Sequence, residues 1–173
     1  MINPPRTIME VFKMLPEGSL AEIIDNTLFM SPAPSPFHQR LILTLATQIN
    51  TFVSTNKLGE VFVSPIDVFL DETSNVVQPD LLFISSTNKV EIDAEGIHGV
   101  PDLIIEILSP GNKKHDMVIK KSLYEKFGVK EYWIIDPDTR QSHGYILKEN
   151  SFENLKEDRG TFASPSLNGT FQF

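Results

Sequence analysis

A chain of 173 residues without cysteine holds no disulfide, no thiol nucleophile and no cysteine-ligated metal. Its 40% apolar and 22% charged content is that of an ordinary globular protein, and no apolar run approaches the roughly 18 residues of a membrane span. The formal net charge of −8 argues against a surface that is basic all over.

The charge is unevenly spread. Residues 1–110 hold 5 Lys/Arg against 14 Asp/Glu, a net of −9; residues 111–131 hold 6 against 3, a net of +3; residues 132–173 hold 4 against 6, a net of −2. A polyanion would meet the chain at the basic segment. The amino-terminal stretch MINPPRTIMEVFKMLPEG lacks the basic-then-apolar pattern of a signal peptide, which suits a cytoplasmic protein. The length predicts a single domain: a helix and hairpin embellishment over 1–36, a core over 37–147 and a tail over 148–173.

Thr7 to Leu15 has apolar residues at 8, 11, 12 and 15, a one-sided helical pattern, and Thr7 with Glu10 has capping-box spacing. Leu20 to Met30 reads as a hairpin turning at Asp25-Asn26. The connector Ser31-Pro32-Ala33-Pro34-Ser35-Pro36 cannot be helix. Phe37 to Asn56 is the longest helical pattern, with Leu41, Leu45, Ile49 and Phe52 at helical spacing, and should pack on a sheet. Val61 to Leu70 and Val76 to Ile84 read as two strands joined by polar Asp71 to Asn75, hence an antiparallel hairpin. Residues 85–101 read as loop with room for a short helix. Asp102 to Leu108 is apolar on both faces apart from its two carboxylates, so it belongs mid-sheet, covered on both sides. A basic helix over about 113–127, strands at Glu131 to Asp136 and His143 to Leu147, and a hairpin over 164–173 complete the chain. The order predicts an α/β domain whose mixed β-sheet is flanked by helices, antiparallel early and with a helix-linked parallel pair later.

Side chains alternate along a strand, so Asp102, Ile104, Glu106 and Leu108 share one face. Asp102 and Glu106 lie about 13 Å apart at roughly 3.3 Å per residue, too far to grip one metal together. A charge buried mid-strand costs roughly several kcal/mol unless it is partnered. Asp80, inside the apolar run VVQPDLLFI on a neighbouring strand, is the best-placed second acid. Two carboxylates on adjacent strands make an oxygen-ligand site suited to Mg²⁺ or Mn²⁺; the same pair could equally serve a structural ion pair. On the basic helix the apolar stripe of Met117, Tyr124 and Phe127 takes in Lys120. Lys120 either snorkels to solvent or places its ammonium over the two acids.

The remaining candidates have two readings each. His38 is a proton shuttle or phosphate contact, or a structural residue at a helix start. Asp102 supports the Glu106 site from a distance or anchors the preceding loop by accepting backbone N–H bonds. His115 belongs to the basic turn and could touch a phosphate; His98 carries no assigned role. Asp67 is an auxiliary acid near the same sheet. Lys113, Lys114, Lys121 and Lys126 form a phosphate track or a solvated helix face. Tyr132 and Trp133 read as core aromatics.

Several ordered segments carry a resemblance: Leu20 to Asp25 with Met30-Ser31-Pro32, Pro36-Phe37-His38-Gln39, Val77-Gln78-Pro79-Asp80, Gly96 to Asp102, Glu106 to Pro110, Lys120 to Tyr124, and Gly128 to Trp133. Over about residues 7–147 the chain resembles the Uma-two family of restriction endonucleases, in the PD-(D/E)XK nuclease superfamily. The resemblance implies a restriction-endonuclease-like core and hydrolysis of DNA phosphodiester bonds with Mg²⁺ or Mn²⁺. The superfamily's aspartate falls on Asp80 and the glutamate of its E-x-K motif on Glu106. The motif's lysine would stand at 108, where this chain has Leu108; the resemblance moves it to Lys120. Glu22 would be the further acid from the amino-terminal part. Asp80 and Glu106, with the carbonyl of Ile107, would hold the metal, and Lys120 would orient the water or stabilise the transition state. Cutting both strands would ask for a homodimer. A nuclease fold used for binding or assembly, and a metal hydrolase of small phosphorylated molecules, are the competing functions.

Overall fold

Thr7 caps the first helix as its spacing predicts: its Oγ1 accepts from the Glu10 N–H, and Glu10 reaches back to the Thr7 N–H. The computed structural model describes residues 4–109, 113 and 115–173. Helix α1 (Ile8–Lys13) leads into the hairpin β1 (Ala21–Ile24) and β2 (Thr27–Met30), and then into the long helix α2 (Pro36–Asn56). Strands β3 (Gly59–Val63), β4 (Val68–Asp71), β5 (Asn75–Val77) and β6 (Leu81–Ser85) follow. Next come β7 (Glu91–Ile92), β8 (Ile97–His98) and the central β9 (Leu103–Ile107). A π-helical turn, His115–Lys120, runs into α3 (Lys121–Phe127) and β10 (Glu131–Asp136). The chain closes with β11 (Gln141–Lys148), β12 (Ser151–Asn154), β13 (Asp158–Arg159), β14 (Thr161–Ser164) and β15 (Gly169–Gln172).

Two mixed sheets organise most of these strands, and β14 and β15 pair as a separate hairpin. One runs β2-β1-β5-β4-β8-β7 and the other β12-β11-β10-β9-β6-β3. Strand β9 is the fourth in its row, parallel to β10 across the π turn and α3, and antiparallel to β6. Both of its faces are covered, as its composition requires. On one side Ile42, Leu45, Ile49 and Val53 of α2 pack on Leu103, Ile105, Ile107 and Trp133. On the other, Ile104, Leu108 and Ile134 meet Leu123 and Tyr124 of α3 and Val68 and Val77 of the first sheet.

The predicted hairpin of Val61–Leu70 with Val76–Ile84 is antiparallel, but each arm is broken. Val61 faces Phe83 in one sheet and Phe69 faces Val76 in the other. The breaks fall at Pro65 and Pro79, which have no N–H to give a ladder. The arms therefore pass from one sheet to the other, and Asp80 sits at the seam, its carbonyl accepting from the Ser64 N–H at 3.1 Å.

Two further expectations are corrected. Residues 85–101 carry the short strands β7 and β8, not a helix. The final hairpin begins at Thr161 rather than Ser164, and the segment before it adds β12 and β13 to the edge of the second sheet. Phe162, Leu167 and Phe171 are buried in the α2 side of the core. Buried Glu131 ties this segment down, accepting from Ser164 Oγ at 3.0 Å and the Ser166 N–H at 2.8 Å. Phe162, Leu167 and Phe171 stand five and four residues apart among mostly polar ones, which hides the contribution of this tail from a composition argument.

Candidate active site

A cleft of about 450 Å³ opens where the two sheets part. Glu22 of β1, Asp80 at the head of β6, Glu106 of β9, His38 from the first turn of α2, and Asp116 and Lys120 from the π turn line it. Each is delivered by a local rule. Ser35 caps α2 by accepting from the His38 N–H at 3.2 Å, with proline at the first helical position. Pro79 frees Asp80 from the ladder. The π turn buries Asp116 and Lys120, four residues apart; such wide turns recur at functional sites.

Lys120 does not snorkel. Its side chain is 6% exposed, and its ammonium lies 2.7 Å from Glu22 Oε1 and 2.9 Å from Glu106 Oε1. One turn on, Tyr124 donates its hydroxyl to the same Glu106 oxygen at 2.8 Å. Asp80 and Glu106 are neighbours across the β6–β9 seam: the Asp80 N–H points at Glu106 Oε2 at 3.4 Å. Asp80 Oδ2 accepts from the Ile107 N–H at 2.7 Å and lies 3.2 Å from His38 Nε2, which is itself 3.1 Å from the Ile107 carbonyl. His38 Nδ1 is buried and has no partner among the described residues. Glu22 also accepts from the Gln78 N–H at 2.8 Å and faces His115 Nε2 at 3.4 Å.

The electrostatics follow from four carboxylates sharing one ammonium. Burial pushes Glu22 up, but the Lys120 charge and the bonds from His115, Lys120 and Gln78 bring it down to about 2. Burial, with Asp80, Asp116 and Glu22 nearby, holds Glu106 up to about 8 against the pull of Lys120. Burial, with Asp80 and Glu22, likewise raises Asp116 to about 6. Burial opposes the Lys120 charge, yet Glu106, Glu22 and Asp116 hold it well above its ordinary value. Burial lowers His38, and its bond and attraction to Asp80 raise it by more. Lys120 is thus the ammonium shared by Glu22 and Glu106, with Glu22 held low and Glu106 and Asp116 held high.

Among the sequence candidates, Asp80, Glu106, Lys120, Glu22, His38 and His115 come together in the cleft. Asp102 does not. It lies at the other end of β9, where its carboxylate takes the Ser85 N–H at 2.8 Å, Asn88 Nδ2 at 2.8 Å and Lys130 Nζ at 2.6 Å, which is its loop-anchoring reading. Asp67 accepts from Gln78 Nε2 at 2.7 Å outside the cleft. His98 stacks on Phe69 and bonds Glu72 and Asp93. Of the candidate phosphate lysines, Lys113 pairs with Asp136, Lys121 lies 4.1 Å over the Tyr145 ring, and Lys126 pairs with Asp25. Lys114 lies outside the described residues. Tyr132 and Trp133 are core aromatics.

Sequence reasoning missed Asp116 and the Tyr124 hydroxyl. Their signal was present: Asp116, Lys120 and Tyr124 follow at intervals of four, one inward helical face. Asp116 was masked because it sits in a run of basic residues. Among the described residues, no three of His, Asp and Glu stand ready to hold a metal. No described helix is long and apolar enough to cross a membrane.

Residues 9–170 match the model of a family described as "Uma2: Putative restriction endonuclease". The fold is similar to the crystal structure of a putative nuclease belonging to DUF820 from Anabaena variabilis ATCC 29413. The TM-score is 0.76 at 22% identity, over 95% of this chain and 92% of that one; at that identity the likeness is one of fold. No curated protein matches the chain in sequence.

Proposed function

The chain belongs to the Uma2 family, described as putative restriction endonucleases, and from that premise we propose that it hydrolyses DNA phosphodiester bonds in this cleft with a bound divalent cation. One observation carries the reading: Asp80 and Glu106 meet across a strand seam, in an open cleft, beside a buried ammonium.

The donors fit the ion. Asp80, Glu106 and the Ile107 carbonyl are hard oxygen ligands on adjacent backbone, the set that Mg²⁺ or Mn²⁺ takes. Beside burial, the carboxylates around Glu106 raise it, a surplus of negative charge that a dication would relieve. Asp80 and Glu106 would hold it, and when bound it would polarise a phosphate oxygen and acidify a water. The chain's own residues do the rest. Lys120, locked by Glu22 and Glu106, presents fixed positive charge where negative charge develops on the phosphate. His38 steers the Asp80 carboxylate toward the Ile107 backbone. Tyr124 orients Glu106.

The test pairs two measurements. Plasmid cleavage should require Mg²⁺ or Mn²⁺ and stop with a chelator; comparison with single strands and nucleotides sets the substrate class. Calorimetric Mn²⁺ binding should be saturable in the wild type and absent in Glu106→Gln. Cleavage at the wild-type rate by Lys120→Ala would remove Lys120 from the mechanism. The acidic total favours one second reading, a nuclease-fold binding module, because nonspecific DNA affinity rests on neutralising phosphates. A wild type that binds Mn²⁺ and DNA without cutting would establish it. Double-strand cutting by one cleft per chain would call for two copies, which the mass in solution reads directly.

A further inference from the structure

Hydrolysis needs a group that takes the proton of the attacking water. Lys120 cannot, since its ammonium is held by two carboxylates at 2.7 and 2.9 Å. His38 spends Nε2 on Asp80 and the Ile107 carbonyl, and its Nδ1 is sealed from solvent. Glu22 already takes Lys120, the Gln78 N–H and His115, so it is a weakened base. His115 turns Nε2 to Glu22 and packs edge-on against Phe29. Asp80 and Glu106 belong to the cation.

Asp116 is left over. It is 6% exposed, it lines the cleft, and among the described residues no donor meets its carboxylate. Its backbone is pinned, because the buried Tyr132 hydroxyl donates to the Asp116 carbonyl at 3.0 Å. Resting on the nuclease reading, we propose that Asp116 is the general base of the cleft, a catalytic residue that receives the proton of the attacking water. The water oxygen bonds to phosphorus as its O–H proton passes to the Asp116 carboxylate. The P–O bond to the sugar breaks with its electron pair leaving on the sugar oxygen, which takes a proton from solvent water; Asp116 then returns its proton to solvent.

The groups facing Asp116 tune it for this. Lys120 and His115 share its turn, Glu22 comes from β1, Asp80 from β6, Glu106 from β9 and His38 from α2. Burial and the acids among them leave it more basic than an ordinary aspartate, and a base tuned toward neutrality accepts a proton more readily.

The experiment follows plasmid cleavage by wild type, Asp116→Asn and Asp116→Glu over a range of pH, with Mn²⁺ affinity measured by calorimetry on each. Asp116→Asn should lose about 100-fold or more in kcat, with KM and Mn²⁺ affinity unchanged. The acid limb of the wild-type profile should vanish in Asp116→Asn and return, displaced, in Asp116→Glu. Asp116→Asn cutting at the wild-type rate overturns the proposal. So does a rate loss that only tracks lost Mn²⁺ binding, which would make Asp116 a ligand. Should Asp116→Asn not fold, Asp116→Glu decides: an acid limb displaced from the wild type supports the proposal and an unmoved one overturns it. A wild type that cuts nothing at any pH overturns the nuclease reading itself, an outcome distinct from all of these.

Discussion

Two buried acids stand four residues apart, Asp102 just before strand β9 and Glu106 within it, and the fold treats them oppositely. Asp102, at one end, receives two neutral donors and an ammonium. Burial pushes it up, but the Lys130 bond and the Ser85 and Asn88 donors hold it below its ordinary value. Glu106, four residues on, shares its ammonium with Glu22 and faces two further carboxylates, and is pushed up to about 8. The same residue class becomes a structural anchor where donors outnumber acids, as at Asp102. Glu106 also has donors, but three further carboxylates surround the ammonium it shares. Surplus negative charge in a cleft, rather than burial alone, separates the two.

Removing Lys120 should have the largest effect. Lys120→Met leaves Glu22 and Glu106 buried with no ammonium, which costs about 3–5 kcal/mol. Urea melts should show the full loss at pH 8 and a smaller one at pH 5, where carboxyls can take up protons. Equal loss at both pH values would break the charge-surplus account.

Glu106→Gln sharpens the comparison at the other acid. Glu106 stands at about 8 against an ordinary 4.5, and Asp116 at about 6 against 3.8. The folded protein thus binds more protons than the unfolded chain over that span, and without a cation its stability falls as pH rises from about 4.5 to about 8. Glu22 has the opposite sign: its contribution is lost as pH falls from 4.5 through about 2. Glu106→Gln should flatten the upper limb in pH-dependent melts while leaving the lower one, and saturating Mn²⁺ should flatten it in the wild type.

Asp102→Ala tests the anchor. It strips the Ser85 N–H and Lys130 of their acceptor and should cost about 1–3 kcal/mol. Mn²⁺ binding and cleavage rate at a temperature where the variant is folded should not change. An equal effect on Mn²⁺ binding would join the two ends of β9 into one site.

The smallest effects are expected at Lys113 and Lys121. Lys113→Ala and Lys121→Ala should each shift stability by about 0.5 kcal/mol or less. If either lysine meets a phosphate, the slope of log K against log salt should fall by about one unit per lysine. An unchanged slope would leave both lysines as solvated side chains.

Much of this was legible in the residues. Asp102 to Leu108, apolar on both faces, called for a central strand and the Thr7–Glu10 spacing for a cap, while the apolar stripe left Lys120 either snorkelling or turned inward. What escaped shares one cause. Pro65 and Pro79 were visible, yet that they send one hairpin into two sheets depends on where the other strands lie. Phe162 and Phe171 look like isolated apolar residues until α2 covers them. Asp116 reads as one charge among basic neighbours until the π turn carries it inward.

By itself, then, the sequence determined which residues share a strand or helix face, because strand and helix periods are local properties of the chain. Only the tertiary structure decided what those residues become. Charge balance in the cleft depends on Glu22, His38, Asp80, Glu106, Asp116 and Lys120 meeting in one small volume. Coulomb interactions between buried groups fall with distance in space and are indifferent to separation along the chain. That is why Asp102 and Glu106, alike in sequence, part company in the fold.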